Sequence, residues 1–206
     1  MDEAAFLARL SRDHPRRAAH PGPYRAPRIA PSWAAFKTSL EFVGGSSHVT
    51  VTPAQLPEAI SAIISFKAHQ RVVASAAASR LVGPMAGVET ASDAGSARQW
   101  ADVDLAIIVP EMGVCENAAM LLSAVSLPER GLPLLAQHVL ALLDLRLLVP
   151  DMHEAYLQMA HRRDGQPLPH HLTWVSGPSK TADIEQALVI GAHGCRSMLV
   201  LPYAAP

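Results

Sequence analysis

Cysteine, aromatic side chains and charge are all scarce in this chain of 206 residues. Only two cysteines are present, Cys115 and Cys195. They form no C-x-x-C pair, which excludes a zinc ribbon or a thiol-redox motif built from this chain. A cubane iron–sulfur cluster held by four thiolates of this chain alone is excluded by the same count. Aromatics make up 5% of residues, so small aliphatic side chains must fill any core, and the 35 alanines and 24 leucines supply them. Charged residues are 17% and the net charge is −1, which gives no general reason to expect nucleic acid as a partner. Long apolar runs are also missing. The greasiest stretch, 132–150, is interrupted by Gln137, His138, Asp144 and Arg146, too often to span a bilayer. Residues 1–10 begin Met-Asp-Glu and lack a basic region followed by an apolar one, so no secretory leader is read there. The expectation is a soluble, cytoplasmic protein.

Half of the residues are apolar, enough for one buried core and too many for a disordered chain. Arginine outnumbers lysine 14 to 3, a bias read as base composition rather than chemistry. The charge is unevenly spread. Residues 1–31 hold five prolines and carry +3, and the rest carries −4. After a short amphipathic stretch at Phe6, Leu7 and Leu10, the prolines fix φ and remove amide donors, so 15–31 reads as an extended arm. Two roles stay open for it: a strap onto an acidic partner or a sister copy, or a self-packed or flexible tail. The division is then 1–31 arm and 32–206 folded domain.

Within the domain, apolar spacing predicts helices over 33–42, from Pro53 to about Phe66, over 152–161 and over 183–190. Strands are predicted at 48–52, 71–74, 104–109, 118–125, 138–143, 172–175 and 198–201. Short continuous apolar strands alternating with helices imply a mainly parallel sheet covered on both faces, with part of it mixed where 118–125 and 138–143 lie close in sequence.

One segment points to chemistry. Residues 173–186 read Thr-Trp-Val-Ser-Gly-Pro-Ser-Lys-Thr-Ala-Asp-Ile-Glu-Gln. As strand, Gly-Pro-Ser turn and helix, it would place free backbone N–H groups and a positive helix end at a strand's carboxyl edge, a site for phosphate or carboxylate. Ser176, Ser179 and Thr181 would add hydroxyls, Lys180 a charge, and Gly177 and Asp183 the turn and helix start. The other reading is a capping box at Asp183-Ile-Glu-Gln after a plain turn.

The run Ser176-Gly-Pro-Ser-Lys-Thr-Ala-Asp-Ile-Glu185, followed by Leu188-Val-Ile-Gly-Ala-His-Gly194, resembles the C-terminal signature of the LUD (lactate utilisation) domain family, and within it the LutC-type proteins. Upstream, Ala101-Asp102-Val103 and the strand to Val109 are similar to the stretch before that family's Ala-Glu-Thr-Gly-Thr. Here Glu116 is kept, while Asn117-Ala118-Ala119 replaces Thr-Gly-Thr and Cys115 replaces Ala. Arg130 and His138 fall where the family has an Arg and a His. The resemblance spans about 33–203 and leaves the arm unexplained. Cys195 stands where the family has Pro, so both cysteines read as small buried hydrophobes.

The resemblance implies a three-layer α/β/α fold with a Rossmann-like sheet, like that of sugar-phosphate isomerases and CoA transferases. It implies a cluster-free component of L-lactate oxidation to pyruvate, with iron–sulfur clusters only on partner proteins and no cofactor on this chain. The 176–183 loop would bind a small carboxylate or phosphate, with Glu116 and His193 in acid/base or orienting roles. His193 has a second reading as a cap for helix carbonyls. Cys115-Glu-Asn-Ala also faintly resembles the Ser-Glu-Asn-Gly of CoA transferases, whose glutamate is a nucleophile. His153, His161, His170 and His171 lack metal-ligand spacing, so no metal site is expected. Two alternatives stand beside the lactate reading: a non-catalytic interaction subunit, which could self-associate, and a stand-alone enzyme on acyl-CoA or phospho-sugar substrates.

Overall fold

The two strongest apolar runs lie side by side at the centre of the molecule. In the computed structural model, which describes residues 2–13, 22, 30–67, 70–92, 97–161, 171–182 and 188–204, they pair in parallel over four residues, from Leu105 opposite His138 to Ile108 opposite Ala141. In chain order the strands are β1 Ser46–Ser47, β2 Val72–Ala74, β3 Val88–Thr90, β4 Leu105–Ile108, β5 Met112–Val114, β6 Met120–Ser123, β7 His138–Asp144, β8 Leu148–Val149, β9 Leu172–Val175, β10 Lys180–Thr181, β11 Val189–Ile190 and β12 Ser197–Tyr203. The helices are α1 Glu3–Asp13, α2 Trp33–Phe42, α3 Leu56–Lys67, α4 Ala76–Val82, α5 Leu132–Leu135 and α6 Met152–His161. Residues 14–21 and 23–29, and with them most of the expected arm, lie outside the described residues.

Six strands form an all-parallel sheet in the order β1-β12-β7-β4-β2-β3. Its four inner strands, β2, β4, β7 and β12, are largely apolar and buried, as a doubly covered sheet demands. Along β7, Val139, Ala141 and Leu143 point to one face, and Leu140 and Leu142 to the other. Leu56, Ile60 and Ile63 of α3 and Ala78 of α4 cover the second face. Phe36 and Leu40 of α2 cover the first, together with a second sheet. Ser32 starts α2 by accepting the N–H of Ala35 at 3.2 Å. Its end is closed by Gly44 at φ +77°, a conformation glycine takes without strain.

The second sheet is β8-β5-β6-β9, with β5 parallel to β8 and the other pairs antiparallel. The expected three-layer core is therefore present, and the mixed part is a separate sheet stacked on one face of it. Ala155 and Met159 of α6 pack on the outer side of this sheet against Met112, Val114 and Leu121. The strands read at 118–125 and 172–175 belong here as β6 and β9, so neither extends the parallel sheet.

Two expectations need correction. The stretch 48–52 is not a strand. Ser46–Ser47 pairs with β12, and after that only Val51 bridges to Tyr203. The chain turns away because Thr52 is committed to capping: its N–H donates to Gln55 Oε1 at 2.9 Å ahead of α3. The helix read at 183–190 does not reach its end, because Val189–Ile190 is a strand paired antiparallel with Lys180–Thr181. Residues 183–187, including Asp183, lie outside the described residues. Among the described residues no helix is long and apolar enough to cross a membrane.

Candidate functional site

The segment singled out in the sequence leaves β9 and turns at Gly177, whose φ is +67°. A Cβ there would lie 2.7 Å from the carbonyl oxygen of Val43 and 2.9 Å from Val43 Cγ2, so glycine is needed for both conformation and approach. The turn rests against the end of α2. Lys180 Nζ donates to that same Val43 carbonyl. Ser176 Oγ donates to the Asn117 carbonyl at 2.6 Å. Ser179 N–H donates to the Cys195 carbonyl at 3.0 Å, and the Ser179 carbonyl accepts from Gly191 N–H at 2.9 Å.

Thus the structure brings residues 176–181 together with the 116–118 turn on one side and the 191–195 segment on the other. Lys180 and Ser176 are exposed, Ser179 and Thr181 half-buried, and Gly177 buried. The ammonium of Lys180 has three donors, and Val43 takes one of them. The loop lies beside Gly194, and Cys195 leads into the amino end of β12. Within the loop Lys180–Thr181 pairs antiparallel with Val189–Ile190, and the expected helix start at 183 lies outside the described residues.

Glu116 sits at the tip of the β5–β6 turn. Cys115 N–H donates to the Val149 carbonyl and Glu116 N–H to that of Pro150, and the carbonyls of Cys115 and Glu116 accept from the Ser39 hydroxyl. The turn closes through Ala118 at φ +54°, the position where the LUD signature has glycine. Asn117 Oδ1 supports it by accepting Ala119 N–H at 3.0 Å. The carboxylate of Glu116 accepts the N–H of Met152, the first residue of α6, at 3.1 Å. It therefore neutralises a helix start. His193 is exposed in the turn before β12, and no hydrogen bond joins it to Glu116 or to the 176–181 loop among the described residues.

Both cysteines are buried, and burial pushes both thiols up from their usual range. They are protonated at neutral pH, which fits packing and not nucleophilic work. His138 Nδ1 lies 2.7 Å from the Ser197 hydroxyl, tying β7 to β12 at their amino ends. Among the described residues no group of three or more His, Cys, Asp or Glu side chains could hold a metal ion.

The sequence singles out Arg130 but not Glu129 beside it. Glu129 is 4% exposed, and its Oε1 accepts the N–H of Ala76 at 3.4 Å. Glu129 and Arg130 line a cavity of about 160 Å³ with Ser92, Gln99 and Trp100. A signal existed: between Glu116 and Asp144 the chain carries only these two formal charges, side by side in an otherwise uncharged stretch.

A family model described as the LUD domain matches residues 34–201. Lactate utilization protein C of Exiguobacterium sp. is 35% identical over 92 residues, which cover 44% of this chain and 40% of that protein. Lactate utilization protein C of Halalkalibacterium halodurans is 33% identical over 95 residues, 44% of this chain and 40% of that protein. These alignments span less than half the length of the curated relatives. Uncharacterized protein YkgG of Escherichia coli is 29% identical over 112 residues, 54% of this chain and 46% of that protein. Among solved structures, a DUF162 family protein from Deinococcus radiodurans superposes with a TM-score of 0.62 at 19% identity, covering 82% of this chain and 94% of that one.

Proposed function

Because the chain belongs to the LUD domain family, we propose that it is a LutC-type component of an L-lactate utilisation system, working beside iron–sulfur partner proteins. The observation that carries this is the one-third identity to proteins named lactate utilization protein C. Oxidation of L-lactate to pyruvate releases two electrons and two protons. Two isolated, buried thiols cannot ligate a four-thiolate cluster, so on this reading partner subunits take the electrons. No resident cofactor is assigned to this chain, and a cytoplasmic place of action goes with this reading.

The anionic ligand, a small carboxylate or phosphate, is assigned to the 176–183 loop. Lys180 would supply charge through its remaining donors, and Ser176, Ser179 and Thr181 would supply hydroxyls. Gly177 holds the turn, and Asp183 completes the segment. Glu116, from a sequence-remote turn, and His193, ten residues after the loop, would orient the ligand or move a proton. Support comes from the exposed ammonium of Lys180 in a chain with only three lysines.

A second reading, a non-catalytic interaction subunit, is favoured by a specific observation. Ser176, Ser179 and Lys180 are all tied into neighbouring loops, which suits a clasp as well as a ligand site. One experiment separates the two. The full chain is tagged in its own host grown on L-lactate, and the captured complex is assayed for iron and acid-labile sulfide. The lactate reading expects both. If neither co-purifies, the lactate reading fails. The interaction reading expects capture to survive Lys180→Ala and Thr181→Ala and to be lost on deleting residues 1–31. For the loop, titrations with L-lactate, pyruvate, phosphate and acyl-CoA should weaken in those two variants, and unchanged binding would sink the assignment.

A further inference from the structure

The mixed sheet ends on an open edge. β9 pairs with β6 on one side and, among the described residues, with nothing on the other. Ala124 N–H donates to the His171 carbonyl at 3.1 Å, and Thr173 lies opposite Leu122. Backbone direction alternates along an antiparallel strand, so residues 171, 173 and 175 turn their N–H and C=O groups to β6, and Leu172 and Trp174 turn theirs outward. Those outward groups have no hydrogen-bond partner among the described residues. At four residues β9 is the longest edge strand described, against two in β1 and β8 and three in β3. Its sequence Leu-Thr-Trp-Val has neither the charge nor the proline that blunts an edge against pairing.

The two faces beside this edge differ. On the outer face Tyr156 of α6, 54% exposed, meets Trp174 edge-on with ring centroids 6.1 Å apart, an aromatic shelf. On the inner face Thr173 stands on the wall of a narrow cleft floored by Leu122, Leu127, Pro133 and Leu134. Arg130 is also on that wall. It is exposed, is the one formally charged residue there, and has no hydrogen bond or ion pair among the described residues. The cleft encloses about 10 Å³, room for one water and too little for a metabolite. What it offers is an apolar bed and a cation to a side chain laid across its mouth.

We propose that β9 receives an extended segment of a partner protein as a fifth strand, with an acidic side chain of that segment on Arg130. The backbone of Leu172 and Trp174 supplies the pairing. Side chains directly opposite each other share a face, so the acid belongs opposite Thr173 and apolar residues belong on either side of it, against the aromatic shelf. Charge selects the occupant. In a second copy pairing β9 with β9, residues 171–175 bring no acid to Arg130. The arm 1–31 of this chain carries +3, the wrong sign. The surface uses none of the residues assigned to the anionic ligand, and it stands whether or not the chain serves lactate oxidation.

The test uses the full chain and a fluorescein-labelled peptide, Thr-Val-Glu-Val-Thr, followed by anisotropy. Its Glu→Gln version should bind about tenfold more weakly, and Arg130→Ala should weaken the Glu peptide by a similar factor while abolishing the difference between the two. Arg80→Ala, an exposed arginine on α4, should bind like wild type. A peptide N-methylated at both valines cannot pair and should not bind, a control that leaves the protein unaltered. Hydrogen exchange at the amides of Leu172 and Trp174 should slow when the Glu peptide is bound. The proposal is overturned if the Glu peptide fails to bind up to about 1 mM, if the N-methylated peptide binds as well, or if Arg130→Ala binds like wild type. Protection of the Leu172 and Trp174 amides that rises with protein concentration alone, alongside a dimer mass, overturns it in favour of a second copy.

Discussion

Glu116 Oε2 holds the N–H of Met152 at 3.1 Å across 36 residues of sequence, joining the tip of the β5–β6 turn to the start of α6. A residue expected to work on a ligand thus also stabilises a helix terminus. Removing the acceptor in Glu116→Ala should lower unfolding free energy by about 0.5–1 kcal/mol, the low end for an exposed cap. Glu116→Gln should lose about half of that. Urea midpoints measure both. An unchanged midpoint with altered ligand binding would assign Glu116 to the ligand alone.

Gly177→Ala should be severe. At φ +67° the new Cβ meets Val43 O at 2.7 Å and Cγ2 at 2.9 Å, so both conformation and packing object. A loss of more than about 2 kcal/mol is expected, read as a lowered thermal midpoint. The neighbouring Lys180–Val43 contact should be lost with it.

Arg146 holds the carboxyl of Asp144 below its ordinary range, chiefly through their side-chain hydrogen bonds, against the upward push of burial. A lowered native pKa means that this stability is present above the unfolded carboxyl's pKa of about 3.9 and fades as pH falls through the native value. Arg146→Met should therefore lower the urea midpoint at pH 7. The gap from wild type should shrink below about pH 4. A gap that grows in acid would refute the assignment.

Cys115 and Cys195 should react slowly with a disulfide reagent at neutral pH. Burial raises both thiols, so little thiolate is present and access needs local opening. Native protein should react at least about tenfold more slowly than protein in denaturant. Fast native labelling of either cysteine would contradict the packing role.

The four inner strands of the parallel sheet were legible in the sequence because they are buried on both faces, whereas the polar edge strands β1 and β3 were not. Leu105–Ile108 and His138–Asp144 are nearly unbroken apolar runs, and such runs have few other places to go. Pairing partners were less legible. Leu172–Val175 has the residues of a strand, and only the fold decides that it pairs with β6. The β-branched run 49–52 misled, because Val49 stays 71% exposed and Thr52 is needed as a cap. Val189 and Ile190 were read as helix from their spacing, yet their backbone pairs with Lys180–Thr181. The Ser176–Thr181 stretch stood out through local turn chemistry. Glu129 did not, since its significance arises only when Ala76, distant in sequence, meets it beside the ends of β2 and β3.

The place of β12 bears on how the molecule is made. Residues 197–203 sit between β1 and β7, so β12, which follows both in sequence, is an interior strand. Until it has left the ribosome, β1 has no neighbour in the sheet and β7 lacks one side. Val139, Leu140 and Leu142 then line an open edge that invites other chains. Folding of this protein must therefore finish after translation has passed residue 203, and nascent chains paused short of it are the species chaperones would be called on to shield.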